Sequence, residues 1–331
     1  MNNTRVILKQ RAEGIPREQD FELLHAPAAR PGAGELLCET RYLSLDPYLR
    51  GQISGRHISG AVNVGELMGG EAVSRVIESR ADGFEQGDII AAHSGWQSHP
   101  VVQAATARKL NPALGPLSTL LGILGMPGLT AYAGMTRLAD LQAGDTVVVS
   151  AASGPVGSMV GQIAKRHGCR SVGIAGSEEK CRWTVAQAGF EHCINYKTET
   201  LRDGLKRACP DGINVYFDNV GGDTLQACME QLALGARVIL CGLMAQYNTD
   251  DIPPGPNPGL IIRARATVRG LVVYDHEDLR PEFEQQVSHW LQQGQLSYKE
   301  DLAEGLQGAP GLFCRLMRGE NFGKAIVRVA E

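Results

Sequence analysis

The stretch Thr146 to Gly168, TVVVSAASGPVGSMVGQIAKRHG, decides the fold. Thr146 to Ser150 is a short β-branched run, the pattern of a strand buried on both faces. Ala151 to Gly157 is small-residue turn chemistry. Val156, Met159, Val160 and Ile163 then recur at i, i+3, i+4 and i+7, which is one face of a helix. Pro155 suits the first helical turn, where its missing N–H costs nothing. Gly168 closes the helix after Lys165, Arg166 and His167, whose charges suit a helix C-terminus.

A strand that feeds a helix through glycines leaves backbone N–H groups free at the helix start, and the helix dipole favours an anion there. Ala152-Ser153-Gly154-Pro155-Val156-Gly157 follows the dinucleotide fingerprint G-x-G-x-x-G with alanine in the first glycine position. Alone, the pattern fits any α/β protein as well as a nucleotide-binding one. The segments beyond it strengthen the nucleotide reading. From about residue 120 to 275 strand candidates alternate with helix candidates. Val147–Val149 precedes helix 156–167, Ser171–Ile174 precedes 178–188, and His192–Tyr196 precedes 199–208. Val215–Asp218 with helix 223–234, Ala236–Cys241 and Thr267–Val273 complete six strands, a doubly wound parallel sheet.

Residues 1 to about 115 read differently. Val6–Leu8, Phe21–Leu24, Glu35–Tyr42, Val73–Ile77 and Asp88–Ala92 are short strand candidates separated by turn residues such as Pro31-Gly32-Ala33-Gly34 and Ala81-Asp82-Gly83. That spacing suggests a β barrel or sandwich. Residues 282–293 and 309–318 read helical, and Ala325–Val329 reads as a strand returning to the first domain.

The 331 residues are enough for two domains with their own cores. A net charge of −4 argues against a nucleic-acid binder, which needs a basic surface. None of the eight cysteines forms a C-x-x-C pair, which points to reduced thiols in a cytoplasmic protein. MNNTRVILKQ has no apolar core of a signal peptide. Leu110 to Thr136 carries only uncharged residues, but Pro112, Pro116 and Pro127 break it too often for a membrane span. Helix segments packed between two domains fit it better.

The polar residues that follow successive strands mark a site at the carboxyl edge of the sheet, where open α/β sheets bind ligands. A NAD enzyme tends to carry an acid after the second strand to hold the ribose hydroxyls. Gly176 and Ser177 stand there instead, with Lys180 one turn on, and a lysine suits the 2′-phosphate of NADP. Glu178 and Glu179 beside it weigh the other way. Tyr196, Asn219 before Gly221-Gly222, Cys241-Gly242, Tyr247 and Asn248 lie along the same edge. Asn248 to Gly259, NTDDIPPGPNPG, is either a lid or a rigid connector.

Taken in order, LSLDPYLRG (43–51), MPGLTAYAG (126–134), AASGPVGS (151–158), GSEEK (176–180), NYK (195–197), FDNVGG (217–222), CGLMAQYN (241–248) and NFGK (321–324) resemble the medium-chain dehydrogenase/reductase superfamily. More narrowly, the chain resembles the zinc-free leukotriene B4 12-hydroxydehydrogenase/prostaglandin reductase branch, which includes NADPH-dependent alkenal and enone reductases. The resemblance covers essentially the whole chain. It implies a β-rich GroES-like domain of residues 1–118 with 300–331, and a Rossmann-type NADP-binding domain of residues 119–299.

The resemblance also implies roles. Gly154, Pro155, Val156 and Gly157 would receive the pyrophosphate, and Gly176, Ser177, Lys180 and Tyr196 would hold the adenosine end with its 2′-phosphate. Asn219, Cys241, Gly242, Tyr247, Leu271, Val272 and Val273 would line the ribose and nicotinamide, with Asn321 closing over the nicotinamide. Tyr48, Tyr247 and Tyr274 are the substrate-pocket candidates, and His57, His93 and Trp96 are further candidates in the first domain. Where the branch places a serine two residues before the tyrosine of CGxxSxYN, this chain has Ala245. Zinc alcohol dehydrogenases carry Gly-His-Glu where this chain has Gly69-Gly70-Glu71, and a cysteine near the position of Ser44. Zinc needs three or four gathered N or S ligands, so metal-assisted alcohol oxidation is rejected and no metal is expected.

The expected activity is NADPH-dependent reduction of a C=C bond conjugated to a ketone or aldehyde. Hydride would reach the β-carbon, and Tyr247, directly or through the ribose hydroxyl, would stabilise the enolate. An α-carbon proton from solvent would complete the reaction. The alternatives are quinone reduction and a non-catalytic NADPH-binding protein. The family also implies a homodimer joined through the cofactor domains, with Thr267–Val273 as the candidate seam.

Overall fold

Val147, Val148 and Val149 are wholly buried in the middle of a six-stranded sheet, which is why polar residues are missing from that run. The computed structural model describes residues 1–252 and 254–330. Its chain divides into two units, Met1–Leu121 with the residues from Glu300 onward, and Gly122–Lys299.

The first unit opens with strands β1 (Asn2–Leu8), β2 (Phe21–Pro27) and β3 (Glu35–Ser44), then the short helix α1 (Leu49–Ile53). Strands β4 (Ala72–Ser79), β5 (Ile89–Ala92), β6 (Val101–Gln103) and β7 (Arg108–Lys109) follow. The second unit begins with α2 (Met126–Ala133), which runs on as a π-helical turn over Gly134–Leu138. It continues through β8 (Thr146–Ser150), α3 (Pro155–Arg166), β9 (Arg170–Ala175), α4 (Glu178–Ala186), β10 (His192–Asn195) and α5 (Leu201–Ala208). It closes with β11 (Ile213–Asp218), α6 (Gly222–Met229), β12 (Leu232–Leu240), α7 (Gly259–Ala264), β13 (Thr267–Gly270) and α8 (Arg280–Gln292). The chain then returns to the first unit as β14 (Glu300–Glu304), α9 (Ala309–Met317) and β15 (Lys324–Arg328).

The first unit's main sheet runs β14-β15-β3-β4-β5-β7, with β6 also pairing β3, while β1 and β2 form a separate hairpin. Its pairs are antiparallel except β14 with β15. The β3–β4 ladder shifts register twice, between Leu37 and Cys38 and between Thr40 and Tyr42, which bends the long strand. Its core packs Trp96 against Phe21 and Phe313, with ring centroids 5.7 Å and 5.6 Å apart.

The second unit's sheet runs β10-β9-β8-β11-β12-β13, every pair parallel. This is the doubly wound order, in which the chain works outward from the centre in one direction, then returns and works outward in the other. Small residues let helices sit close on it. A Cβ added at Gly161 would stand 1.9 Å from the Phe190 ring. Ser177 and Thr200 cap α4 and α5 by accepting the N–H groups of Lys180 and Asp203.

Several expected boundaries move. The helix expected over 223–234 stops at Met229, and β12 starts at Leu232. Ile213 pairs with Leu232 before the register breaks, and Gly235 at φ +76° supplies the irregular turn inside the strand. The strand expected over Thr267–Val273 ends at Gly270, because β12, its only neighbour among the described residues, ends at Leu240. Likewise β10 ends at Asn195 and leaves Tyr196 beyond the ladder. Among the described residues no helix is long and apolar enough to cross a membrane.

Candidate active site at the sheet switch point

In the order β10-β9-β8-β11-β12-β13 the crossovers diverge between β8 and β11, and in open α/β sheets ligands bind outside the carboxyl ends of the strands at such a point. Those ends are Ser150 and Asp218. The Ser150 hydroxyl donates to Asp218 Oδ1 at 3.0 Å and accepts the Asn219 N–H at 2.8 Å, while Asn219 Nδ2 donates to the Ser150 carbonyl at 2.8 Å. Asp218 is fully buried. Its carboxylate also accepts the Tyr216 hydroxyl at 2.7 Å and the Val220 and Gly221 amides, each at 3.0 Å. Burial, with the neighbouring Cys228 and Asp218, pushes the Tyr216 phenol well up, so it stays a protonated donor. The Asp218 carbonyl accepts the amides of Cys241 (2.8 Å) and Gly242 (3.1 Å). One aspartate therefore ties together the ends of β8, β11 and β12.

On the β8 side, Ala151 takes a left-handed φ of +52° and Gly154 stands at the N-cap of α3. Among the described residues no side chain caps that helix. A Cβ at Gly157 would meet the Ala151 carbonyl oxygen at 2.4 Å, so only glycine lets the turn fold this tightly onto the helix start. Gly154, Pro155, Val156 and Gly157 thus form an uncapped helix N-terminus at the switch point, an arrangement that receives an anion.

After β9, a Cβ at Gly176 would stand 2.8 Å from the Tyr196 hydroxyl, so the glycine makes room for that ring. Tyr196 is half exposed. Ser177 accepts the Lys180 N–H at 3.2 Å, which places Lys180 in the first turn of α4. Gly176, Ser177, Lys180 and Tyr196 gather at the ends of β9 and β10.

Cys241, Gly242 and Tyr247 follow β12. Burial pushes the Cys241 thiol up to about 12, with Asp218 adding to the effect. It also raises the Tyr247 phenol, against a backbone hydrogen bond from Leu243 that pulls the other way. Leu271 and Val273, beyond β13, are buried, while Val272 and Tyr274 are exposed. The Leu271 side chain faces the interior, where a Cβ at Gly134 would approach it to 3.1 Å, and its N–H is already given to the Leu240 carbonyl.

The remaining expected residues lie in the first unit. Tyr48 begins α1 with its ring 5.1 Å from that of His57, and Asn321 donates to the Gly323 carbonyl at 2.9 Å. Trp96 is wholly buried against Phe21 and Phe313, so it is a core residue and not a pocket residue. His93 is exposed. Ser44 donates to Asp46, and Lys324 Nζ donates to Asp46 Oδ1 (2.7 Å) and the Leu45 carbonyl (2.9 Å). This buried pair joins the LSLDPYLRG and NFGK segments. Among the described residues no three or more His, Cys, Asp or Glu side chains gather to hold a metal.

Sequence reasoning passed over Ser150, Asp218, Asp46 and Lys324. A signal for Asp218 existed, since an acid ending a mostly apolar strand, INVYFD, has to be paid for by local donors.

A family model described as the N-terminal domain of oxidoreductase matches residues 4–110, and one described as zinc-binding dehydrogenase matches residues 155–293. The NADPH-dependent curcumin reductase of Escherichia coli is 39% identical over 335 residues, covering 99% of this chain and 97% of that protein. Prostaglandin reductase 1 of Bos taurus is 40% identical over 327 residues, covering 97% of each. The crystal structure of CurA from Vibrio vulnificus in complex with NADPH superposes with a TM-score of 0.93 at 38% identity, covering 99% of each chain.

Proposed function

The chain belongs to the medium-chain dehydrogenase/reductase superfamily, in its zinc-free prostaglandin reductase and alkenal reductase branch, and from that premise we propose that it reduces the C=C bond of α,β-unsaturated ketones and aldehydes with NADPH. The observation that carries the reading is Tyr247, a half-buried phenol whose burial favours the protonated form, in the turn that follows Cys241-Gly242.

The residues present fit NADPH. The α3 start lacks a side-chain cap, and its turn is closed tightly enough that a Cβ at Gly157 would be excluded. In this reading the N–H groups of Val156 and Gly157 hold the pyrophosphate, with Gly154, whose N–H goes to the Ala151 carbonyl, and Pro155 shaping the turn, and Lys180, Ser177, Gly176 and Tyr196 hold the adenosine end. Asn219, Cys241, Gly242 and the backbone of Leu271 to Val273 hold the nicotinamide side, with Asn321 assigned from the family resemblance, and Tyr48, Tyr247 and Tyr274 are the proposed substrate-pocket residues. NADPH, when bound, supplies the hydride. As the β-carbon is reduced, negative charge grows on the substrate's carbonyl oxygen, and the Tyr247 hydroxyl holds a proton toward it, directly or through the ribose hydroxyl. The α-carbon then takes a proton from solvent. Eight free thiols fit a reducing, cytoplasmic setting. The outer edge of β13, the last strand of the sheet, is the proposed seam of a homodimer.

The test is the ultraviolet absorbance of NADPH on mixing with a medium-chain 3-alken-2-one, run beside NADH and beside a quinone. Rapid loss with the enone and NADPH supports the reading. Turnover of the quinone alone moves the assignment to quinone reduction. Tight NADPH binding without consumption by any of them leaves a binding protein.

A further inference from the structure

Cys181 on α4 and Cys193 on β10 bring their sulfurs to 2.7 Å, and both are free thiols. A disulfide bond is about 2.05 Å long, so closure asks for well under an ångström of movement. The pair packs against β9, where a Cβ at Gly173 would meet Cys193 Sγ at 3.4 Å. In sequence the pair borders the residues of the proposed adenosine site. Cys181 follows Lys180 directly, and Cys193 lies on β10, which ends at Asn195, one residue before Tyr196.

The two thiols differ from the other six. Burial raises Cys38, Cys169, Cys209, Cys228, Cys241 and Cys314. Cys181 alone is lowered, chiefly because the Cys193 thiol donates to it, while that same bond and burial raise Cys193. Cys181 is the buried sulfur and Cys193 the partly exposed one, and since the thiolate is the nucleophilic form Cys181 is assigned the attack and Cys193 the resolving step.

We propose that Cys181 and Cys193 are an oxidative modification site, which hydrogen peroxide converts to a reversible intrachain disulfide that weakens NADPH binding. The Cys181 thiolate attacks one peroxide oxygen, the O–O bond breaks, and the departing hydroxide takes a proton to give water and a sulfenic acid. Cys193 sulfur then displaces the sulfenic hydroxyl, its thiol proton leaves with that group as a second water, and the S–S bond forms. Two thiols lose two electrons and one peroxide is reduced to two waters. Closure draws the first turn of α4 toward β10 and moves Lys180 relative to Tyr196. This second half of the proposal rests on the assignment of those residues to NADPH.

The full chain is treated with one equivalent of hydrogen peroxide, quenched, and mapped by non-reducing peptide mass spectrometry. NADPH affinity is measured before oxidation, after it, and after dithiothreitol. The expected result is a single Cys181–Cys193 linkage, a rise in the NADPH Kd of about threefold or more, the scale of loosening one exposed ionic contact, and recovery on reduction. Cys193→Ser leaves a sulfenic acid on Cys181 that dimedone traps, and Cys181→Ser leaves Cys193 unmodified. An unoxidised pair, or oxidation at other cysteines first, overturns the site. A linkage that forms with no change in Kd overturns its effect on the cofactor. Reduced protein that fails to bind NADPH counts against the proposed function and leaves the mapped linkage standing.

Discussion

Asp218→Ala removes the one acceptor on which four donors converge inside the second unit. The Tyr216 and Ser150 hydroxyls can turn to other acceptors, but the Val220 and Gly221 amides are fixed by the backbone at 3.0 Å from the lost carboxylate. Gly221 is buried and Val220 partly so; each such amide left without a partner costs about 1–3 kcal/mol, so the pair costs about 4 kcal/mol at mid-range. In a unit of this size 1 kcal/mol moves the midpoint by about 2–4 °C, which puts the expected fall in Tm at about 8–16 °C. Differential scanning calorimetry measures it directly. Asp218→Asn keeps one oxygen for the amides and turns an NH2 toward the other donors, so its fall is smaller. A drop below about 3 °C for the alanine variant would refute the claim that this carboxylate holds the ends of β8, β11 and β12 together.

The other predictions concern single groups. Tyr247→Phe is expected to lower kcat by about 10²-fold or more, the usual cost of losing an oxyanion donor, with little change in NADPH Kd; steady-state kinetics with an unchanged kcat would remove Tyr247 from the chemistry. Lys180→Met is expected to weaken NADPH by about tenfold or more and NADH hardly at all, since a hydrogen bond to a charged group is worth about 1.5–3 kcal/mol; calorimetric titration showing equal losses for both would refute the 2′-phosphate assignment. Burial raises the Glu300 carboxyl above its usual range, and one of its oxygens is buried without a partner among the described residues. A raised folded pKa contributes stability below the unfolded pKa and loses it as pH rises through the folded value. Glu300→Gln is therefore expected to raise Tm at neutral pH relative to the native chain and to lose that advantage in acid. An equal shift at both pH values contradicts it.

The central strand-turn-helix was legible because its signals are local. Five β-branched or small residues, a glycine turn and a 3.6-residue apolar period fixed Thr146–Ser150 and Pro155–Arg166 without outside help. The doubly wound sheet followed from the alternation around it. The misplaced ends depend on partners distant in sequence. β13 stops where β12 stops, and the start of β12 is set by its pairing with Ile213, so periodicity within either segment carries no trace of the boundary. The same holds for the site. Gly157 and Lys180 stand in recognisable motifs, whereas the roles of Ser150 and Asp218 appear only once two strands lie side by side. Cys181 and Cys193 lack C-x-x-C spacing, and only the packing of α4 on β10 brings them together. Trp96 shows the converse error, an aromatic residue that suits a pocket by type and a core by position.

The most direct test of the account follows the hydride. NADPH deuterated at nicotinamide C4 is supplied with a 3-alken-2-one, and the product is read by mass spectrometry and proton NMR. The account predicts a saturated ketone with deuterium on the β-carbon and solvent hydrogen on the α-carbon. Deuterium on the carbinol carbon of an unsaturated alcohol would show carbonyl reduction instead, and would contradict the assignment of Tyr247 to an enolate oxygen.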